Sequence, residues 1–392
     1  MAGRDIARRL RSRAAGGSGS VTWPNRRRLD LAEYRVTDPG AGLFDVPSRR
    51  TLLEKTLDPT LRAAIDAALT VPREPTWDSE AVAYVGYIPR FYQDRAAWEV
   101  ATRDLRAIET AVAALAAAFL ASGDRAHADR LVDLLAGWAE QDAFTRFHYK
   151  PREPQAWFAV EATLFALALS YAVVRPFAGD RVSDTQAIDA WLGRASRAHL
   201  GIPRGEWNNH YYRRGLHAAS IGILAGDDEL FRFGVSAVHN ALAELQGDGT
   251  FPREVARGAR AIHYQNFALQ YLVPIMQLAD RQGYPLWDLA PAGLTIHDAV
   301  EATLGLLTDP SPAERRFARE QDLSFMQQAQ YFAWMEILGA RFGDARVEAF
   351  VRRYRPVWSR SSVGAATLYF YEPGRASAAL APEADGGNRA GP

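Results

Sequence analysis

Apolar residues recur along this chain at helical spacing far more often than in alternation. Leu105, Ile108, Val112, Leu115 and Phe119 lie three or four apart, and Leu131, Leu134, Leu135 and Trp138 follow the i, i+3, i+4, i+7 pattern, so each set shares one helix face. The same reading predicts helices over about 156–175, 184–199, 209–225, 228–245, 256–281, 295–308, 322–341 and 344–354. Residues 164–174 are the most apolar stretch; too short to cross a bilayer, they read as a buried helix. Strand patterns are scarce, and residues 365–371 are the best candidate.

One punctuation mark repeats between the helices. Gly123-Asp124, Gly179-Asp180, Gly226-Asp227 and Gly343-Asp344 fall where one helical pattern stops and another starts or approaches. Glycine takes the left-handed position that ends a helix, and aspartate caps the next. Ser183 with Gln186 adds a capping-box pattern. Short joints of this kind make antiparallel hairpins. Hairpins in series without a strict repeat predict an all-α fold, an (α/α) toroid or incomplete α/α barrel, with a solenoid as the competing arrangement. No Pro/Gly/Ser-rich linker divides residues 80–372. The expected organisation is therefore an irregular, partly disordered N-terminal arm (1–40), one toroid domain (41–372) and a disordered C-terminal tail (373–392).

Of 392 residues, 48% are hydrophobic and 23% charged, ordinary for a chain with a large core. Lys plus Arg and Asp plus Glu both number 46, and the zero net charge argues against a general nucleic-acid binder while leaving room for a local basic groove. With no cysteine, disulfides, thiol catalysis and Cys-ligated metals are excluded. Residues 1–19 are Arg-rich and lack the continuous apolar run of a secretory signal, so the sequence by itself reads as cytoplasmic, without a membrane anchor.

Against this background Trp207-Asn208-Asn209-His210-Tyr211-Tyr212 stands out, because such a polar run is costly to bury without partners and suits a cleft wall. Further on, Asp248-Gly249-Thr250-Phe251-Pro252-Arg253-Glu254 reads as a turn and extended segment leading into a helix that carries Arg257 early and Tyr264 two turns later, on one face. Asn209, His210, Arg257 and Tyr264 supply an amide, an imidazole, a guanidinium and a phenol. Singly, each has a structural reading: a satisfied core histidine, solvated arginines, a core tyrosine. His210 and His217 could share a helix face, but there is no His-Glu-x-x-His and no acidic cluster with ligand spacing, so neither metal nor cofactor is expected. There is no phosphate-cradling Gly-rich loop and no nucleophile elbow. Asp142, Glu161, Glu206 and Glu254 could in principle pair for glycoside hydrolysis, and Glu254 could equally pair with Arg257.

At these residues the chain resembles polysaccharide lyase family 5, the mannuronate-specific alginate lyases, and the wider alginate-lyase-like group. The resemblance rests on Asn208-Asn209-His210-x-Tyr212, on residues 248–254, and on Arg257-x-x-Arg260-Ala261-x-x-Tyr264-x-Asn266, and extends more weakly over about 90–355, including Trp138-Ala139 and Gln155-x-Trp157. It implies an (α/α) toroid with a long cleft and cleavage by β-elimination. Asn209 and Arg257 would neutralise the C5 carboxylate, His210 would act as base or as a further neutralising group, and Tyr264 would protonate the leaving O4 and could also be the base. Asn208, Tyr212, Arg213, Arg260, Trp157 and Gln155 would contact the acidic polysaccharide. The nearest counterpart of the family's N-terminal lid is the stretch holding Tyr84, Tyr87, Arg90 and Tyr92. Arg213 stands where relatives commonly have Trp, and Phe267 where they have Tyr. Arg213 would bind a subsite carboxylate or pair with an acid such as Glu206 or Glu254. Members of the family are usually exported to the periplasm.

The expected substrate is a uronate-containing polymer, β-mannuronate-rich alginate first. The alternatives are another polyuronate such as glucuronan, a non-catalytic polysaccharide-binding protein, and an inverting glycosidase on the same toroid. Because the sequence carries no metal-ligand motif, activity is expected to survive dialysis against a chelator; complete loss, restored by a divalent ion, would contradict that reading.

Overall fold

The structure, a computed structural model, describes residues 29–70, 83–202, 207–360 and 362–375. The expected tail beyond residue 375 and most of the N-terminal arm lie outside the described residues, as does Glu206. Sixteen α-helices follow one another among the described residues: α1 (Val46–Lys55), α2 (Pro59–Thr70), α3 (Arg95–Ala101), α4 (Arg103–Ser122), α5 (Arg125–Glu140), α6 (Gln155–Val174), α7 (Val182–Leu200), α8 (Asn209–Ala225), α9 (Asp228–Ala243), α10 (Pro252–Val255), α11 (Ala261–Arg281), α12 (Ile296–Thr308), α13 (Ser311–Phe317), α14 (Ala333–Phe342), α15 (Ala345–Val351) and α16 (Ala366–Phe370). No strand occurs among the described residues, and the segment that resembled one, 365–371, is the short buried helix α16. A short apolar run does not separate strand from buried helix by periodicity alone.

The helices form a closed inner ring. α2, α4, α6, α8, α11, α14 and α16 pack each on the next, and α16 returns to α2. Five of these, α4, α6, α8, α11 and α14, carry the next helix in the chain as a partner, and α5 and α7 of that layer also pack on each other. This is the all-α toroid that the hairpin pattern predicted. Burial follows position: α6 buries 16 of its 20 residues, whereas α5 buries 6 of 16. Two helical stretches, 103–122 and 155–177, have the length and apolar character of membrane crossings, but both are mostly covered by protein.

Three of the four Gly-Asp joints work as the sequence implied. Gly123, Gly226 and Gly343 end their helices in the left-handed conformation, and Asp124, Asp227 and Asp344 cap the next through backbone N–H groups. At the fourth, α7 begins at Val182 with Arg181 at the cap, so Ser183 lies inside the helix and the expected capping box does not form. Two predicted helices are shorter than their patterns. The one read over 256–281 begins at Ala261, after a turn at Gly258 with φ +61°, and the one read over 322–341 starts as two 3-10 turns before α14. The described part of the arm is irregular yet packed: Tyr34 Oη lies 3.1 Å from His239 Nε2, and Gln282 holds the backbone N–H groups of Thr37 and Asp38.

Helices α8 and α9 approach closely through glycines. A Cβ on Gly234 would lie 2.5 Å from Ala219 Cβ and 2.7 Å from the Gly215 carbonyl oxygen. Gly234→Ala should therefore force this pair apart and destabilise the protein by about 1–3 kcal/mol. Urea unfolding checks this; unchanged stability would show that the crossing has slack.

Candidate active site

The first turn of α8 is held from two sides. Asn208 is its N-cap, and its side-chain oxygen accepts from the His210 N–H at 3.1 Å. Glu254, fully buried, accepts from the backbone N–H of Asn209 and, at 3.0 Å, from Asn209 Nδ2. Together they satisfy donors that a helix start leaves orphaned. The 248–254 segment is shaped to deliver that carboxylate. Asp248 Oδ1 accepts from Thr250 N and Oγ1. Gly249 has φ +76°, and a Cβ there would lie 2.5 Å from the Asp298 carbonyl oxygen, so only glycine fits the turn. Gln265 of α11 accepts from Phe251 N at 2.9 Å and tethers the segment to the helix that carries Tyr264.

These elements border a cleft of about 600 Å³ at one end of the ring. Asn209, His210, Tyr264, Gln155 and Arg213 all line it. The His210 ring stacks on Phe158 with centroids 3.7 Å apart and planes 17° from parallel. The Tyr264 hydroxyl is 2.7 Å from that of Tyr92, whose segment crosses the cleft mouth. Burial pushes the Tyr264 phenol up, Tyr92 adds to this, and Arg257 opposes it, so the group enters the cleft as a proton carrier. Arg257 precedes α11 rather than lying within it, so the shared helix face that the sequence predicted does not arise. The two residues meet all the same, because the turn at Gly258 folds the guanidinium over the Tyr264 ring, 4.7 Å from its centroid. Among the described residues Arg257 makes no ion pair.

The other residues singled out by sequence divide between cleft and scaffold. Gln155 opens α6 at the cleft wall, but Trp157, two positions on and round the helix, is fully buried. Its indole donates to the His199 carbonyl at 3.0 Å and stacks on the His199 ring. Tyr212 is buried against Phe251, and Asn208 is spent on capping. Arg260 stacks over Tyr92 at 4.2 Å and lies 3.8 Å from Asp322, at the rim. Arg213 pairs with Glu161 at 3.0 Å and donates to the Phe158 carbonyl, so of its two readings the structure supplies an acid partner, and that acid is neither Glu254 nor Glu206. His217 lies in a buried chain with His199 and Ser196. Among the described residues no three His, Asp or Glu side chains are grouped as a metal would require.

Of the carboxylates considered for hydrolysis, Asp142, Glu161 and Glu254 are otherwise engaged, and Glu206 lies outside the described residues. Glu254 is bound to Asn209 and shielded, and Asp142 pairs with Arg194 at 3.0 Å on the outside. Sequence reasoning passed over Phe158 and gave Glu161 no role beside His210. The α6 face that starts with Gln155 could have exposed Phe158 and Ala162, three and seven positions on.

The fold and the site together define a polysaccharide lyase on a helical toroid. The alginate lyase family profile matches residues 58–313, and the chain belongs to that family. A polysaccharide lyase of Stenotrophomonas maltophilia (strain K279a) is 31% identical over 253 residues, 61% of this chain and 73% of the relative. An alginate lyase of Pseudomonas syringae pv. tomato is 25% identical over 247 residues, a match that spans 64% of that enzyme's length. Among solved structures, alginate lyase A1-III from Sphingomonas species A1 is similar at 29% identity with a TM-score of 0.77, over 88% of this chain and 100% of that one. An A1-III complex with a tetrasaccharide matches at 30% identity and the same TM-score.

Burial pushes the Glu254 carboxyl up to about 7, against the Asn209 side-chain bond, the Arg257 charge and the Asn209 backbone bond, which pull it down. A carboxyl raised above its unfolded value of 4.5 stabilises the fold fully below that value, and the contribution is lost as pH rises through about 7. The parent should lose roughly 3 kcal/mol of stability from this group between mildly acid and mildly alkaline pH. Glu254→Gln should lack that component. Urea unfolding of both proteins across the range checks it; parallel curves would show that Glu254 is not strained by burial.

Proposed function

We propose that this protein cleaves alginate, β-mannuronate-rich polymer first, by β-elimination in the cleft lined by Asn209, His210 and Tyr264. The observation that carries the reading is the convergence of the amide, the imidazole and the phenol on one cleft wall, with the Arg257 guanidinium stacked on the phenol and making no ion pair among the described residues. Among the described residues no pair of free carboxylates faces them, which favours elimination over the two-carboxylate chemistry of a glycosidase. A1-III, similar to this chain at 30% identity, is solved in complex with a tetrasaccharide, which supports an oligosaccharide as the ligand.

The steps follow from the groups. Arg257 and the second N–H of the Asn209 amide, the first being given to Glu254, meet the C5 carboxylate of the uronate. Their fixed positive dipoles lower the cost of the enolate-like anion that forms when the C5–H bond breaks. Neutral His210 takes that proton, or Tyr264 takes it only as the phenolate, the form that burial disfavours. The C4–O4 bond then breaks as the C4–C5 double bond forms, and Tyr264 returns a proton to O4. A phenol held up by burial binds its proton firmly between turnovers and releases it to an alkoxide leaving group, which is more basic still. Tyr92, bonded to the same oxygen, fixes the direction of that proton.

His210→Ala and Tyr264→Phe should each lower turnover by ~10²-fold or more, with little change in folding. Ultraviolet absorbance of the unsaturated product, measured against alginate, polymannuronate and glucuronan, checks both variants and the substrate class. A variant with near-parent turnover would remove that residue from the mechanism, and no absorbing product on any polyuronate would remove the function. Arg257→Lys keeps the charge but not the bidentate fork, and should still lose turnover on the free acid while losing much less on the methyl ester. An Arg257→Lys enzyme as fast as the parent on the free acid would exclude carboxylate binding by Arg257.

A further inference from the structure

A buried charge that the elimination steps leave unused lies beside His210. Glu161, on α6, has no solvent exposure. Its Oε1 is 3.5 Å from His210 Nδ1 and 3.0 Å from Arg213 Nε. The arrangement is two interlocked helix pairs. His210 and Arg213 are three apart on α8, and Phe158 and Glu161 are three apart on α6, so each pair shares a face. Phe158 supplies the ring under the imidazole and the carbonyl that takes the Arg213 Nη2 proton at 3.1 Å. Glu161 sits between imidazole and guanidinium. The Tyr271 ring, 5.8 Å from the Arg213 guanidinium carbon, closes the far side. His210 Nδ1 is buried on the Glu161 side, while the imidazole borders the cleft, which leaves Nε2 as the nitrogen that can reach a ligand.

We propose that Glu161 is the positioning residue of His210: its carboxylate takes the Nδ1 proton and turns Nε2 toward the substrate, while Arg213 fixes Glu161 in place. The proposal rests on His210 belonging to the elimination machinery. Histidines that work through one nitrogen are commonly oriented by an acceptor on the other. At 3.5 Å the contact with His210 is long, and neither Glu161 oxygen makes a hydrogen bond of ordinary geometry here; catalytic hydrogen bonds are often long or poorly aligned without substrate and tighten in the complex. Around the carboxylate stand Arg213, Arg214 and His199; around Arg213 stand Tyr271, Glu109 and Tyr264; and Glu254 occupies the Asn209 side of the same turn. Burial raises the Glu161 carboxyl and these three cationic or basic neighbours lower it, Arg213 most. Burial likewise opposes the Arg213 charge, and Glu161 more than offsets it. At Glu161 burial prevails and the carboxyl is raised on balance, so it is the 3.0 Å contact with the Arg213 guanidinium that pairs the two groups. It also accounts for an arginine in the position where relatives commonly carry tryptophan: the side chain serves the carboxylate rather than a sugar ring.

Glu161→Gln keeps the shape and removes the charge. The imidazolium then loses its partner and faces an uncompensated Arg213. The pH–rate limb that belongs to His210 should therefore move to lower pH by about one unit or more, whether the neutral or the protonated ring is the active form. The value of kcat should fall about tenfold or more, with KM changed less than about twofold. Nitrogen-15 NMR of the imidazole in the parent should show the Nδ1-protonated tautomer, and in Glu161→Gln a mixed one. The double variant Glu161→Gln/Arg213→Gln, which leaves no buried charge uncompensated, should reproduce the loss in kcat if the single variant folds poorly. A parent imidazole protonated on Nε2 would overturn the proposal, as would a folded Glu161→Gln with the parent's pH profile and a change confined to KM. His210→Ala, assayed alongside, separates the two readings: if it retains activity the elimination role of His210 fails, while the tautomer measurement still decides whether Glu161 orients the ring.

Discussion

The carboxylate of Glu254, cut off from solvent, takes one hydrogen bond from the backbone of Asn209 and a second from its side chain. Much of the cleft follows from this contact. A helix start leaves N–H groups that something must accept, and burying them unpaired is costly. Here the acceptor comes from 45 residues away, on a turn that only glycine at 249 can make, itself tethered to α11 through Gln265. One buried carboxylate thus ties the helix that bears Asn209 and His210 to the segment that bears Arg257 and Tyr264. The cost of burying it is visible in the raised carboxyl, and strain of this kind is often concentrated at functional sites.

The ring supplies what that contact cannot, a rigid wall on the other side. α6 is buried nearly all round, and it presents Gln155 and Phe158 to the cleft and Glu161 just behind. The imidazole of His210 is fixed between the Phe158 face and the Glu161 carboxylate. Tyr264 is fixed between Arg257 on its ring and Tyr92 on its hydroxyl. Each reacting group is therefore set by neighbours from a different element, the arrangement that preorganised electrostatic catalysis requires. Tyr92 belongs to a short segment with exposed tyrosines at 84, 87 and 92, of which residues 90–93 border the cleft.

How much of this was legible in the sequence depends on the kind of signal. The hairpins were, because Gly123, Gly226 and Gly343 do in the structure what a left-handed cap does in any helix. Polar residues set where a core would not take them drew attention to Asn209, His210 and Tyr264, which line one cleft, and to Arg257, which lies over the Tyr264 ring. The start of α11 was not legible, because the apolar pattern runs back through a turn that Gly258 interrupts. Nor was the break before α14, where Asp322 captures the N–H and hydroxyl of Ser324 and favours a turn over a helix. Trp157 looked like a sugar platform only while its register relative to Gln155 was ignored. Glu161 as a partner of His210 was illegible, since a lone acid inside an apolar helix has no period and its meaning lies across the ring.

Elimination and hydrolysis differ by one water molecule, and that difference tests the central claim most directly. A defined oligomannuronate should be cleaved by the protein and the fragments weighed. Elimination requires that their masses sum to that of the starting oligosaccharide, one fragment holding the C4–C5 double bond and no oxygen at C4. Fragments that are both saturated and whose masses sum to the starting oligosaccharide plus one water would mean that water was added across the glycosidic bond, and would contradict the roles given to Asn209, His210, Arg257 and Tyr264 together.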